Sequence, residues 1–254
     1  MNQKQTIGID RRLRLEWLEY TVELYKQKLS EKEIAKALLN EVSGHLSIGK
    51  SSVSRGSGEK AVTNLMKIWI KVPDELASLR NRGLQLFNDF PKDLHIVFHW
   101  GMTIANYPFW GFVATHTGRL LRLQKTITPA QVQQRLKEHY GERSTIKDAT
   151  RRALRSMADW EVLKESDKKG IYLNGLTIKL DNPKLVSWLL GTIIYLFPSQ
   201  TIPLRELIIH PALFPFDLMN ISLKELLDNN PHFELQNYGL NEATVFLKKG
   251  HPDL

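Results

Sequence analysis

The sequence predicts a mainly α-helical protein, in which an N-terminal helical bundle is followed by two winged-helix-like modules with short β-hairpins. Three observations support this fold class. Apolar residues recur at helical spacing through most of residues 1–125. Two helical patterns and a hairpin pattern then follow within residues 126–180, and a similar order of elements recurs within residues 181–254.

The first segment, residues 1–125, is expected to form a bundle of helices. Ser30 and Glu33 lie in the sequence SEKE, a capping-box pattern that marks the start of the second helix. The predicted helices cover residues 10–28, 30–42, 60–72 and 74–90, and two further helices within 92–123 meet near Pro108. Residues 43–59 are rich in Ser and Gly and lack an apolar period, which predicts an exposed basic loop.

The second segment, residues 126–180, is predicted to be a winged helix-turn-helix. Thr128 and Pro129 begin one helix, Gly141 ends it, and Ser144 begins the next. WEVLKES and IYLNGLTIKL (residues 160–166 and 171–180) then have the pattern of two strands joined by a polar turn.

The third segment, residues 181–254, is predicted to be a second winged-helix-like module. Its predicted elements are a helix over 184–196, a short helix after Pro203, a helix in SLKELLDNN, and a hairpin formed by HFELQNYG and ATVFLKK. No sequence repeat relates it to the second segment.

Residues 44–51, GHLSIGKS, match the G-x-x-x-x-G-K-[ST] pattern of a phosphate-binding P-loop. A functional P-loop connects a buried β-strand to the N-terminus of a helix, because the turn must present its amides to the phosphates. Here the preceding residues are helical in pattern, and two glycines follow in SSVSRGSG. We therefore interpret the match as accidental. Lys50, Ser51 and Arg55 remain candidates for contact with nucleic acid, and an inert linker is an equally good interpretation.

The composition excludes several classes of function. The chain has no cysteine, which rules out disulfides, cysteine-ligated zinc and thiol catalysis, and is compatible with a reducing cytoplasm. The N-terminus does not have the pattern of a secretory signal. The longest apolar stretch, LVSWLLGTIIYLF, is shorter than the about 20 residues that a membrane-spanning helix needs, and predicts a buried helix instead. We expect a soluble cytoplasmic protein without a membrane partner.

Positive charge is concentrated in the first two segments. The whole chain carries a formal net charge of +8, whereas residues 181–254 carry −3. Between Arg119 and Arg155 there are ten basic and three acidic residues. Such a local excess favours a polyanionic partner, because each phosphate contact releases counterions. A solvated basic face that maintains solubility is the alternative.

The helix that begins at Ser144 carries the clearest functional signal. A helical wheel places Lys147, Arg151 and Arg155 on one ridge, opposite an apolar face. Such a ridge suits a helix in the major groove of DNA. The candidate DNA-binding residues of this module are Arg143, Ser144, Thr145, Lys147, Arg151, Arg152, Arg155 and, at the tip of the wing, Lys168 and Lys169. The alternative is a winged helix that binds protein.

The sequence proposes no catalytic residue, no metal site and no cofactor. His95 and His99 have the i, i+4 spacing of helical metal ligands, and His116 is nearby. However, residues 95–99 read HIVFH rather than HExxH, and the surrounding stretch is aromatic. Histidines of the core or of a helix end are the better interpretation.

The order of elements over about residues 7–175 resembles the BrxA family of the BREX bacteriophage-exclusion systems. The resemblance rests on the helical N-terminus, the basic segment near Arg55, the apolar middle, and the segment GERSTIKDATRRALRSMADWEVL that enters the winged helix. It implies a non-enzymatic protein that binds double-stranded DNA in a phage-defence system. The acidic segment after residue 180 departs from this resemblance.

These observations lead to one principal expectation and two alternatives. The principal expectation is a DNA-binding accessory factor of a phage-defence system, whose acidic C-terminal module contacts other defence proteins. The alternatives are a winged-helix transcriptional regulator, and a scaffold that joins protein partners through its winged helices.

Overall fold

The computed structural model describes residues 7–9, 11–46, 56–219, 221–222, 226, 233–238 and 242–247. Its N-terminal half is helical, as predicted. The helices are α1 (Leu15–Lys26), α2 (Glu31–Leu46), α3 (Ser57–Trp69), α4 (Asp74–Phe87), α5 (His95–Asn106) and α6 (Pro108–Leu123). Among the described residues, no helix is both long and apolar enough to cross a membrane.

Helix α5 lies at the centre of the molecule. All of its residues from Ile96 to Asn106 are buried. A helix that is apolar on all sides must be covered on all sides, and α1, α3, α4, α6 and α9 (Pro183–Ile194) pack around it. Helix α9 contains most of the apolar stretch LVSWLLGTIIYLF, so this stretch is a buried helix as predicted.

The contact between α5 and α9 depends on a glycine. The Trp188 ring of α9 lies so close to Gly101 that a Cβ atom there would be 2.7 Å from the ring. The buried residues of the three predicted segments form one continuous core. The division at residues 125 and 180 therefore stays a prediction from sequence.

The two helices and the hairpin predicted after residue 125 are present and form a winged-helix-like module after α6. It consists of β1 (Thr126–Ile127), α7 (Pro129–Tyr140), α8 (Ser144–Asp159), β2 (Leu163–Glu165) and β3 (Tyr172–Asn174). The strands form an antiparallel sheet in the order β1–β3–β2, and α6 packs on both α7 and α8. The two-residue strand β1 was not predicted, because it is too short to show an apolar period.

The predicted strand over residues 171–180 is wrong in its length. It is divided into β3 and β4 (Ile178–Leu180), which belong to different sheets. The cause lies at Gly175, whose backbone N–H donates to the Val162 carbonyl at 3.1 Å. A Cβ atom at Gly175 would lie 2.0 Å from the Glu161 carbonyl oxygen, so only glycine allows the chain to leave the hairpin here.

The C-terminal module repeats the strand order of the winged helix. After α9 come β5 (Thr201–Pro203), α10 (Leu204–Ile208), β6 (Phe216–Leu218), β7 (Phe233–Tyr238) and β8 (Glu242–Leu247). Strands β5, β8 and β7 form an antiparallel sheet in the order β5–β8–β7, which corresponds to β1–β3–β2. Strand β6 pairs with β4 in parallel and was not predicted. The predicted helix in SLKELLDNN lies outside the described residues, apart from Ser222 and Leu226.

Two predicted boundaries in the bundle are wrong. Helix α1 begins at Leu15 rather than near residue 10, because the preceding residues are extended and contact α8. The Ser/Gly-rich segment 43–59 is helical at both ends, since α2 continues to Leu46 and α3 begins at Ser57. The first residues of the P-loop match therefore belong to a helix, and its remaining residues, with the candidates Lys50, Ser51 and Arg55, lie outside the described residues.

A buried polar network joins α1 to α5. Glu19 accepts hydrogen bonds from His95 Nδ1 at 2.8 Å and His99 Nε2 at 3.0 Å, and the Trp69 indole N–H donates to His99 Nδ1 at 3.1 Å. Burial alone would raise the pKa of Glu19, but the hydrogen bonds from His99 and His95 lower it to about 2. Burial also lowers the pKa of His99, which fits a neutral ring that donates from Nε2 alone. The two histidines are therefore residues of the core.

Replacement of Glu19 is predicted to destabilise the fold strongly. The Glu19→Ala variant leaves two buried histidine donors without an acceptor, and we expect a loss of about 3 kcal/mol in the free energy of unfolding. Urea denaturation would measure it. Glu16→Ala on the same helix removes only an exposed pair with Arg14 and should cost less than about 1 kcal/mol. Equal losses in the two variants would contradict the role assigned to Glu19.

His210 is predicted to make the fold sensitive to acid. Burial, followed by the charges of Arg119 and Arg122, lowers its pKa from 6.5 to about 4, and its Nδ1 accepts a hydrogen bond from the Ala212 backbone N–H. The unfolded chain therefore binds a proton between pH 6.5 and 4 that the folded protein does not, so stability should fall as the pH decreases through this window.

The variant His210→Asn retains an acceptor but cannot titrate in this window. The decrease of its thermal midpoint between pH 7 and pH 4.5 should be smaller than that of the wild type. Parallel pH profiles of the two proteins would show that His210 does not contribute to acid sensitivity.

Candidate nucleic-acid interface

Helix α8 has the two faces that the sequence predicts. Ile146, Ala149, Thr150, Ala153, Leu154 and Met157 are all buried against the rest of the module. Lys147, Arg151 and Arg155 are all exposed. One face of α8 thus fixes its position, and the other presents a row of cations to solvent.

The exposed row lines a groove of about 1040 Å³ between α8 and the hairpin β2–β3. Lys164 of β2 and Lys169 of the hairpin turn lie on the opposite wall. Five cations from α8 and the hairpin therefore line one concave surface. Within the described residues, Lys147, Arg151, Lys164 and Lys169 form no ion pair with a carboxylate.

The hairpin turn is held by its own hydrogen bonds. The backbone N–H of Gly170 donates to Glu165 at 2.8 Å, and the Lys168 N–H donates to Ser166 Oγ at 3.2 Å. Gly170 has a φ of +79°, which favours glycine at this position. Lys169 is consequently directed along the wall of the groove by an ordered turn, and Lys168 is exposed beside it.

The carboxylates of the groove are mostly engaged. Glu165 accepts the hydrogen bond from Gly170, and Asp159 forms a bidentate ion pair with Arg12. Glu161 also lines the groove and is exposed. Two of these three carboxylates therefore stabilise the walls of the groove.

Tyr172 contributes a hydroxyl group to the same surface. It lies on β3 and lines the groove together with Arg155 of α8. Burial raises the pKa of Tyr172, so the phenol stays protonated and can donate a hydrogen bond to an anion.

The structure separates the candidate residues of the winged helix into two groups. Lys147, Arg151, Arg155 and Lys169 line the groove, whereas Lys168 is exposed next to Lys169 and does not line it. Arg143, Thr145 and Arg152 instead line a smaller cleft of about 520 Å³ with residues 7–9. Ser144 is exposed at the start of α8 and lines neither.

Two cations and a phenol of the groove, Lys164, Arg12 and Tyr172, were not among the candidates predicted from the sequence. Lys164 and Tyr172 lie on the two predicted strands, but the register of β2 and β3 places them on opposite faces of the sheet, so strand alternation could not have assigned both to this surface. Arg12 could not be found in this way, because it belongs to a segment that the sequence places in the helical bundle. Its position follows from a contact across 147 residues of chain.

The described residues show no arrangement that suggests a metal centre. His95 and His99 are hydrogen-bonded to Glu19 as described above, and no group of three or more His, Asp or Glu side chains in the described part of the chain could hold a metal ion. His116 is on α6 and burial lowers its pKa to about 4.

Comparison of the chain with protein-family models, curated proteins and solved structures found no match. An assignment of function therefore rests on the chemistry and shape of the groove.

Proposed function

We propose that this protein binds double-stranded DNA through the groove between α8 and the hairpin β2–β3. The supporting observation is the convergence of Lys147, Arg151, Arg155, Lys164 and Lys169 on one concave surface. Like charges gathered in this way repel one another, and a polyanion in the groove relieves that repulsion.

Helix α8 can enter the major groove of B-DNA, which is about 12 Å wide and admits an α-helix of about 10–12 Å in diameter. Lys147 and Arg155 are eight residues apart, so the row of cations extends over about 12 Å of the helix axis. With α8 in that groove, Lys168 and Lys169 of the hairpin turn would reach the neighbouring phosphate backbone, and the arginines of α8 would bind phosphates or guanine.

We infer that backbone contacts dominate over base recognition. The groove carries two side-chain amides, Gln133 and Asn174, and Gln133 donates a hydrogen bond to the Lys147 carbonyl at 3.4 Å. The arginines can bind either phosphates or guanine, whereas the lysines act as point charges and only these two amides could read adenine, so most polar groups of the groove suit the backbone. The proposal is thus a DNA-binding protein of low sequence specificity that carries out no reaction itself.

The resemblance to the BrxA family supports a place in a phage-defence system. In that setting the protein would be an accessory factor, and its C-terminal module, with a net charge of −3, would be free to contact other defence proteins. A strong preference for one duplex sequence would instead favour a transcriptional regulator. Absence of DNA binding would favour a protein scaffold.

Charge reversal on α8 tests the proposal. We expect the wild type to bind a random-sequence 30-base-pair duplex with an affinity that falls steeply with salt, at a log–log slope of about −4.5 for five phosphate contacts. The double variant Arg151→Glu/Arg155→Glu should bind at least about 100-fold more weakly at 100 mM salt, with a shallower slope. Fluorescence anisotropy would measure both quantities.

The matched control is Lys32→Glu/Lys36→Glu on α2. It makes the same change in charge with the same spacing of four residues, at exposed positions on a helix that packs against α1 and α3. This variant should keep most of the wild-type affinity. Equal losses in the two double variants would show a dependence on net charge alone and contradict a localised groove.

A further inference from the structure

We infer that Arg12, from the segment that precedes the first helix, is a phosphate-binding residue of the same groove. This inference rests on the proposed function and extends it to a part of the chain outside the winged helix. Arg12 lines the groove together with Arg151 and Arg155 of α8. Its side chain keeps 46% of its surface exposed to solvent, so a ligand can reach it.

Two hydrogen bonds of the Leu13 backbone fix the position of Arg12 beside the C-terminal end of α8. The adjacent Leu13 is fully buried, and its N–H donates to Ser156 Oγ at 2.8 Å. The Trp160 indole N–H donates to the Leu13 carbonyl at 3.0 Å. The backbone N–H and the carbonyl of Leu13 are therefore bound by α8 and by the residue that follows it. This leaves the neighbouring Arg12 little freedom to move.

The guanidinium of Arg12 is oriented by Asp159. Its Nε and Nη2 donate to the two carboxylate oxygens, which occupies one edge of the planar group. The remaining donors, including those of Nη1, have no partner among the described residues. An arginine held on one edge by a carboxylate loses less conformational freedom when its other edge binds a phosphate.

The negative charge of Asp159 lies in an unfavourable position, and the ion pair with Arg12 compensates for it. Asp159 is the last residue of α8, where a negative charge is unfavourable because of the helix dipole. It also lies in a groove that we propose for a polyanion. The ion pair with Arg12 offsets both effects, and the nearby charge of Arg155 leaves the cluster with an excess of positive charge.

Two roles of Arg12 can be distinguished by experiment. Arg12 could act only by neutralising Asp159, or it could contact DNA itself. The double variant Arg12→Ala/Asp159→Asn separates them, because it has the same net charge as the wild type but lacks the guanidinium. Affinity for the 30-base-pair duplex would be measured against salt for both single variants and the double variant.

If Arg12 contacts a phosphate, Arg12→Ala should bind about 10-fold more weakly and reduce the magnitude of the salt slope by about 1. The double variant should keep the reduced slope. A return to the wild-type slope and affinity in the double variant would overturn the inference, as would an unchanged slope in Arg12→Ala.

The control is Arg14→Ala in the same segment. Arg14 is paired with Glu16 at 3.0 Å and lies over the Trp17 ring, away from the residues that line the groove. Its removal should leave the slope unchanged, and a decrease equal to that of Arg12→Ala would also contradict a specific contact by Arg12.

Circular dichroism would establish that each variant is folded. If Arg12→Ala is unfolded by the unpaired Asp159, the double variant decides the question alone, because neither charge remains in it. Failure of the wild type to bind duplex would overturn the proposed function together with this inference, whereas normal binding by the double variant would overturn only the inference.

Discussion

The structure depends on three hydrogen bonds that buried tryptophan indoles donate to backbone carbonyls of distant segments. A buried indole N–H that finds an acceptor avoids the cost of leaving its hydrogen bond to water unreplaced. Trp100 of α5 donates to Ala212, Trp160 after α8 donates to Leu13, and Trp188 of α9 donates to Leu79. Each ring is almost completely buried. Because each bond crosses between predicted segments, the bundle and the two winged-helix-like modules share one core.

The bond from Trp160 has the clearest consequence for the candidate site. Trp160 directly follows α8, and its hydrogen bond to Leu13 holds the N-terminal segment against that helix. The orientation of α8 is therefore coupled to the helical bundle. The Trp160 ring also packs at 5.4 Å from Trp110 of α6, measured between centroids. The exposed cations of α8 and the wall formed by β2–β3 are thereby held on a rigid support, which reduces the entropy lost when a ligand binds.

Local patterns predicted the helices and the basic face of α8 correctly, because each depends on residues a few positions apart. The capping box at Ser30, the helix start at Thr128 and the buried helix α9 are all confirmed. The strands β1, β5 and β6 were missed because each has only two or three residues and is defined by a partner remote in sequence. Arg12 was missed for the same reason, since only the folded chain brings it to Asp159. The sequence thus predicted the α8 face of the candidate site, but not its connection to the N-terminal segment.

The most direct test of the account is lysine footprinting of the wild-type protein with and without duplex DNA. Acetylation of each lysine would be quantified by mass spectrometry. We expect duplex DNA to protect Lys147, Lys164 and Lys169 of the groove, while the exposed Lys32 and Lys36 of α2 react equally in both samples. Protection of the α2 lysines with unchanged reactivity of the groove lysines would contradict the assignment of the groove as the DNA-binding surface.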